Sequence, residues 1–151
     1  MEDAANRILS AKKRGWFREK KVYTQHEAVT ESSLLELEAQ LGTRLPETFR
    51  CWLLMAGFGD IGEELALRSS WLRLIDRGQL QGHVQFGQDI LGNFYSCAVD
   101  DSGIHFISRH SPEYAPLAAN FLGLLEGLLA RGFQLEAWTD TLRLKPYAWD
   151  A

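Results

Sequence analysis

The sequence predicts an α+β fold, an antiparallel or mixed β-sheet with helices packed at its face, in a single domain spanning residues 1–151. Leucines recur at three- and four-residue spacing between residues 34 and 41, which indicates an amphipathic helix. Residues 84–108 are rich in aromatic and β-branched side chains and are divided by turn signals, as in a meander of strands. A second leucine-rich periodic stretch follows Asn120. The order of helices, then strands, then a helix is typical of α+β domains.

The first element is predicted as a helix over residues 3–14, which Gly15 ends. It belongs to a basic arm, residues 1–21, that holds seven basic and three acidic side chains. We expect a short extended piece to follow it, formed by Trp16, Phe17, Val22 and Tyr23.

Capping residues delimit the next helix. Thr30 is predicted to begin it, Ser33 and Glu36 have the spacing of a capping box, and Gly42 is expected to end it. Leu45-Pro46 then begins another helix, since proline suits a first helical turn. The two helices are predicted to form a helical hairpin or a corner.

Gly57, Gly59 and Gly62 have the spacing G-x-G-x-x-G, with Asp76 downstream, as in a dinucleotide-binding fingerprint. That fingerprint requires a strand before the glycines and a helix after them. Here a predicted helix precedes them, and Glu63 and Glu64 would repel a phosphate. We therefore interpret Gly57 as a left-handed helix C-cap and expect no cofactor.

The remaining elements are predicted from alternation and turn residues. Trp71 and Leu72 are expected in a small helix or loop, and Asn120 is expected to cap a long helix that stops at Gly132. We expect the aromatic tail from Phe133, within residues 132–151, to add a strand and pack on the core. The strands and turns are predicted around Val84 and Phe86, at the Gly92-Asn93 bend, over Phe94 to Val99, at the turn 100–103, and over Ile104 to Ser108.

The net charge of −4 is unevenly distributed. The basic arm carries +4, so the remaining residues, with nine basic and seventeen acidic side chains, carry −8. An acidic body disfavours nucleic acid and favours a cationic protein partner, although excess carboxylates also simply keep a protein soluble. The arm could contact RNA or a membrane, or form a solvated helix face.

Several function classes are disfavoured. The longest apolar run, residues 51–59, is too short to cross a bilayer, and residues 1–15 lack a secretory h-region. Cys51 and Cys97 lie in apolar segments without metal-ligand spacing, which indicates buried, reduced thiols. We expect a cytoplasmic protein that binds neither nucleic acid nor membrane and is a monomer or weak homodimer.

Three motifs resemble the SUKH superfamily when taken in order. Residues 37–53, LEAQLGTRLPETFRCWL, resemble its signature opening of a helix ending in Glu-x-x-Leu-Gly, then Leu-Pro, then an apolar helix and a glycine turn. Residues 86–95, FGQDILGNFY, look like its glycine-turn hairpin. Residues 120–125, NFLGLL, look like its closing helix with Asn in place of the usual capping Ser. The similarity spans about residues 27–130.

This resemblance implies an α+β fold without catalysis or cofactor. Most bacterial members of the superfamily look like immunity proteins that neutralise polymorphic toxins, often nucleases, and others are regulatory or scaffolding proteins. The matching residues shape the fold, so the resemblance transfers no toxin-binding residue to this chain.

An enzyme is the third hypothesis. His105 lies on a predicted strand near acids and serines, but no nucleophile-elbow context surrounds it, and the four histidines lack zinc-ligand spacing. The residues from which a catalytic trio could be assembled are Asp100, Asp101, Ser102, His105, Ser108 and His110.

The candidate toxin-binding residues are acids at predicted turns and aromatic side chains that could anchor a partner. A basic nuclease cleft could be occluded by carboxylates around such an anchor, although the alternative for each single residue is a solvated turn residue or a part of the core. The candidates are Asp60, Glu63, Glu64, Trp71, Asp89, Asp100, Asp101 and Tyr114, with Tyr95 and Trp149 as further possible anchors.

Overall fold

The computed structural model describes residues 1–14 and 19–149. Helix α1 covers Glu2–Ser10, and a small hairpin of strands β1 (Lys12–Arg14) and β2 (Glu19–Lys21) follows it. The prediction of a helix up to residue 14 is therefore wrong for its last residues. The buried stripe of α1 ends at Ile8, and no apolar residue continues that stripe into Lys12–Arg14, so packing supports no further helical turn.

The extended segment predicted to follow the first helix is found in part. Val22 and Tyr23 are buried, and Tyr23 begins strand β3 (Tyr23–Glu27). Trp16 and Phe17 lie outside the described residues.

Helices α2 (Glu31–Leu41) and α3 (Glu47–Ala56) form the predicted corner. Thr30 is the N-cap of α2 as predicted, but its capping box pairs Thr30 with Ser33 rather than Ser33 with Glu36. Gly42 ends the helix in the left-handed conformation, with φ of 85°.

A buried ion pair holds this corner together. Glu38 accepts the Leu45 backbone N–H at 2.6 Å and pairs with the Arg50 guanidinium, whose Nε lies 3.1 Å from Glu38 Oε2. Both side chains are only 8% exposed. Hydrogen bonding to Glu38 raises the pKa of Arg50, and more exposed Glu31 adds a second contact at 3.2 Å.

Gly57 follows α3 directly, with φ of 71° and ψ of −171°. Gly57 is the C-cap of α3 as predicted, but its ψ lies outside the left-handed helical region, because the chain passes at once into the extended strand β4 (Phe58–Ile61). Any side chain on Gly57 would overlap the Glu27 carbonyl oxygen. A helix precedes the three glycines and strand β5 (Leu65–Leu67) follows them, which is the reverse of a dinucleotide-binding fingerprint.

Strands β3 to β11 form one antiparallel sheet, in the order β11-β10-β9-β8-β7-β5-β4-β3 with β6 paired to β7. This confirms the predicted α+β fold class. The 3₁₀ helix before β6 was anticipated around Trp71 and covers Ser69–Trp71. The later strands are β6 (Arg73–Leu74), β7 (Val84–Asp89), β8 (Phe94–Cys97), β9 (Ile104–Ile107), β10 (Glu113–Ala118) and β11 (Lys145–Pro146).

Helices cover one face of the sheet, which we call the inner face. Helix α4 (Phe121–Ala130), capped by Asn120 as predicted, and helix α5 (Leu135–Thr139), which was not predicted, contribute to the main core there. Phe49, Phe86 and Phe121 lie at its centre, with ring centroids 4.9 to 5.7 Å apart. No helix in residues 1–14 and 19–149 is long and apolar enough to cross a membrane.

The opposite, outer face carries a smaller apolar cluster of Ile75, Leu80, Ile107 and Tyr147. The tail reaches this cluster as predicted: β11 pairs with β10, and the Tyr147 hydroxyl donates to the Arg77 carbonyl oxygen at 2.6 Å. Loop 75–83 and the tail therefore cover only part of the outer face.

Cys51 and Cys97 are both free thiols. Cys97 is buried as expected, whereas Cys51 is only half-buried. Burial raises the pKa of both thiols, so both stay protonated at neutral pH.

Candidate functional site: an acidic concavity on the outer face

A shallow, open cavity of about 420 Å³ lies on the outer face, beside the turns that join β4 to β5 and β7 to β8. Four of the predicted site residues line it: Asp60, Glu63, Trp71 and Asp89. We call this cavity, with Glu64 at its rim turn, the acidic concavity. The other described lining residues are Gly62, Leu65, Ala66, Arg68, Gln88 and Ile90.

Strand register explains why residues far apart in sequence meet here. Leu65 lies opposite Asp89 in the β5–β7 pairing, and Ile61 lies opposite Leu65 in the β4–β5 pairing. The turn carrying Glu63 and the turn following Asp89 therefore protrude from the same end of the sheet. A rigid sheet thus presents two loops side by side, which is a common arrangement for binding sites.

Asp60 is the interior carboxylate of the concavity, and its charge is already compensated. One oxygen lies 2.8 Å from Arg68 Nη2, and the other lies 2.9 Å from His26 Nε2. The neighbouring Tyr23 phenol has its pKa raised, first by burial and then by the Asp60 charge. Asp60 therefore fixes Arg68 at the cavity wall.

Asp89 is fully engaged within the protein. Its carboxylate accepts the backbone N–H groups of Leu91 and Asn93 at 3.0 and 2.9 Å, and the Tyr95 hydroxyl at 2.7 Å. This network shapes the β7–β8 turn. Tyr95 is completely buried, so the prediction that it could anchor a partner is wrong, because its ring belongs to the inner core. Burial, and then the Asp89 charge, raises its pKa.

The most exposed side chains that line the acidic concavity are acidic or apolar. Glu63 is exposed and Glu64 is half-buried, and neither forms a salt bridge with a described residue. Ile90 is 66% exposed and Leu91, next to it, 46% exposed. Half-buried Trp71 lies beside them, with the Arg68 Cζ 5.5 Å from its ring centroid.

Ile90 and Leu91 were not singled out from the sequence. The signal was present, since two large apolar residues precede Gly92-Asn93 at a turn where polar residues are usual. Exposed apolar side chains next to carboxylates are typical of protein-binding surfaces.

Asp100 and Asp101 lie at the other end of the sheet. They belong to the β8–β9 turn, whereas the concavity adjoins the opposite end of β8. Asp101, with φ of 65°, accepts the Thr48 hydroxyl at 2.6 Å, and Thr48 in turn accepts the Phe121 backbone N–H at 3.1 Å. Asp100 is exposed and accepts the Ser102 hydroxyl, which lowers its pKa. The structure therefore does not bring these two acids into one surface with Glu63.

The two remaining aromatic candidates lie on the outer face near the tail. Tyr114 is half-buried, and its ring centroid is 5.4 Å from that of Tyr147. Trp149 packs against Tyr147 with a centroid distance of 4.2 Å and an angle of 45° between the rings, and it remains 37% exposed. Tyr114 is thus mainly a packing residue, whereas Trp149 is available to a ligand.

The residues considered for a catalytic Ser-His-Asp trio are not hydrogen-bonded to one another as a triad. The His105 ring lies 5.3 Å from that of His83, while Ser102 bonds Asp100 and Ser108 accepts the His110 N–H. Burial lowers the pKa of His105 to about 4, and His83 and Lys145 add to this effect. Among the described residues, no group of three or more His, Cys, Asp or Glu side chains is arranged to hold a metal ion.

The geometry of the concavity suits protein binding, because it joins outward carboxylates to an apolar tip on rigid strands. Comparisons of the chain with protein-family models, curated proteins and solved structures found no match.

Proposed function

We propose that this protein is a non-catalytic, cytoplasmic immunity protein that binds one cognate toxin domain, most simply a nuclease, and blocks its basic active surface. The observation that carries the proposal is the juxtaposition of Glu63, Trp71 and exposed Ile90 in one cavity on rigid strands, with Glu64 and exposed Leu91 next to them in the chain.

The charges of this surface fit a cationic partner. Among the described lining residues, three carboxylates (Asp60, Glu63 and Asp89) face one guanidinium, Arg68, and Glu64 adds a further negative charge at the rim. Complementary charge accelerates the encounter of two proteins and discourages wrong partners. A nuclease cleft that normally attracts phosphates would be attracted by the same carboxylates.

The apolar residues would supply affinity. Ile90, Leu91 and Trp71 offer side-chain area that a partner could remove from water at the centre of the contact, with carboxylates around it. Interfaces usually derive most of their binding energy from a few such central residues.

The SUKH resemblance supports this proposal at the level of the fold. Its matching residues have structural positions: Glu38 and Leu45 meet at the helical corner, and Phe49 and Leu53 are completely buried. If those residues build a shared scaffold, the surface loops are left to vary with the partner.

The alternative is a regulatory or scaffolding domain of the SUKH type that binds another protein through the same surface. A neighbouring gene for a large secreted toxin would favour immunity, and absence of such a neighbour would favour the scaffold.

Coexpression tests the proposal. The chain is produced together with the C-terminal domain of the toxin encoded beside it, and cell survival and copurification are measured. Survival together with a stable complex is the expected result. The matched variants are Glu63→Lys/Glu64→Lys at the concavity and Glu36→Lys/Glu126→Lys on exposed helix positions, which change the charge equally. Loss of protection only in the first pair supports the concavity, whereas killing of cells that hold the wild-type protein would reject this pairing.

A further inference from the structure

A second cavity on the outer face has the opposite charge. It has a volume of about 390 Å³ and lies over strands β7, β8 and β9, with Phe94 and Ile107 in its floor. Arg73 forms one wall, Arg109 and His110 of the β9–β10 loop form another, and Trp149 lies at its margin. The volume is within the range of about 300 to 1,000 Å³ that small-molecule sites occupy.

The two guanidinium groups are available to a ligand. Among residues 1–14 and 19–149, no carboxylate lies within salt-bridge distance of Arg73 or Arg109, although the molecule carries a net charge of −4. A guanidinium group presents several N–H donors in a planar array, which suits the oxygens of a phosphate.

The protein also fixes the position of Arg109. Its backbone N–H donates to the side-chain oxygen of buried Asn93 at 3.0 Å. Its side chain lies across Gly92 so closely that a Cβ there would be 2.7 Å from Nη1. The Glu113 carboxylate accepts the Ser111 hydroxyl at 2.6 Å, and in the described part of the chain it forms no salt bridge with Arg73 or Arg109.

Trp149 adds an aromatic surface to this cationic site. The ring packs at a tilt against Tyr147, with 4.2 Å between the ring centroids, and 37% of the residue stays exposed. Aromatic side chains of this kind stack on planar bases, whatever the sequence of the nucleic acid. The site therefore offers a planar contact next to two cations, above an apolar floor of Phe94 and Ile107.

From this arrangement we propose that the cavity binds a nucleoside monophosphate, with the phosphate on Arg73 and Arg109 and the base against Trp149. The site is separate from the acidic concavity, whose lining it does not share. The inference therefore stands or falls independently of the proposed immunity function.

Isothermal titration calorimetry with AMP tests the inference on the full chain, with adenosine and inorganic phosphate as partial ligands. We expect AMP to bind more tightly than either partial ligand. Arg73→Gln/Arg109→Gln should weaken AMP binding about a hundredfold, since both charge-assisted contacts to the phosphate are removed. Trp149→Ala should reduce the ratio of the affinity for AMP to the affinity for phosphate.

The control is Arg44→Gln/Arg143→Gln, which removes the same charge from exposed positions outside the cavity. Circular dichroism verifies that each variant is folded. Equal AMP affinity in both double variants, or no heat of binding for the wild-type protein with millimolar AMP, would overturn the proposal. Phosphate that binds as tightly as AMP would overturn the role of Trp149.

Discussion

At the residue scale, Glu38 performs two structural tasks with one carboxylate. It accepts the Leu45 backbone N–H and neutralises buried Arg50, so it sets the angle between α2 and α3. A buried carboxylate in a helix is rarely predicted from sequence, because acidic residues are mostly exposed. The motif resemblance singled out Glu38, but only the structure reveals Arg50 as its partner.

Replacing Glu38 by Gln should lower the free energy of unfolding by about 3 kcal/mol, because Arg50 would become a poorly compensated buried charge. Urea denaturation at pH 7 measures the change. Glu36→Gln is the control, since Glu36 is exposed on the same helix and should change stability by less than about 0.5 kcal/mol. Equal denaturation midpoints for the two variants would contradict the structural role of Glu38.

His105 should make stability depend on pH. Its pKa is about 4 in the folded protein, below the ordinary value of 6.5. Between these values the unfolded chain binds a proton that the folded protein does not, so stability falls as the pH decreases from 6.5 to 4. The contribution is fully present above pH 6.5. His105→Gln should reduce the difference in denaturation midpoint between pH 7 and pH 4.5.

Exposed His110 provides the comparison, and His110→Gln should leave that difference unchanged. If His105→Gln kept the full pH dependence, the burial ascribed to His105 would be incorrect. His83 packs against His105 and also has its pKa lowered by burial, so the double variant should have the flattest profile.

The sequence alone does not distinguish an acidic turn residue that binds a partner from one that binds its own chain. Asp60, Asp89 and Asp101 were candidates for binding a partner, yet each contacts groups of its own chain. An aspartate at a turn has the same sequence signal in both roles. Glu63 was distinguished only when the structure showed that it has no such partner among the described residues.

At the element scale, helix α4 contains two glycines with different surroundings. A Cβ on Gly127 would overlap the Trp138 ring of α5, whereas the nearest atom to a Cβ on Gly123 is 3.7 Å away. Gly127 thus permits α5 to approach α4. Sequence periodicity located α4 but could not predict this contact, since α5 is only five residues long.

Gly127→Ala should therefore lower the free energy of unfolding by about 1–3 kcal/mol through overpacking against Trp138. Gly123→Ala, on the same helix, should raise it by about 0.5–1 kcal/mol, since alanine favours a helix over glycine. Thermal denaturation of the two variants compares them directly. Stabilisation by both substitutions would mean that α5 does not pack on Gly127.

Strands in which apolar and polar residues alternate regularly were predicted. Strands that contain a proline, or that are too short for a clear alternation, were not. Strands β7, β8 and β9 were anticipated, because their apolar residues and turns are regular. Strand β10 was not, because Pro116 argues against a strand. The structure accommodates Pro116 at an irregularity of the β9–β10 register. Strands β4 and β5, at four and three residues, are too short to produce a clear period.

At the scale of the whole molecule, the two faces of the sheet differ in what covers them. Helices and the main core occupy the inner face, whereas the outer face carries an acidic concavity and a cationic cavity side by side on β5, β7 and β8. The acidity of the chain was evident from its composition. The placement of an acidic concavity and a cationic cavity on the same face depends on strand register, so it could not be predicted from the sequence.

The structure also changes which variant tests partner binding. A sequence-based design would reverse Glu63, Glu64 and Asp101 together, but Asp101 holds Thr48 at the opposite end of β8. Its reversal would disturb folding rather than the concavity. Reversing only Glu63 and Glu64 changes the charge of the concavity without breaking a salt bridge among the described residues.

Stopped-flow measurement of association with the toxin domain tests most directly whether the acidic concavity receives the partner. The rate is measured for the wild-type protein and for Glu63→Lys/Glu64→Lys, at low and high salt. The account predicts at least about tenfold slower association for the variant at low salt, and a weaker salt dependence, because steering by these carboxylates is lost. Glu36→Lys/Glu126→Lys should associate nearly as fast as the wild-type protein. Equal rates for all three proteins would show that the acidic concavity does not receive the partner.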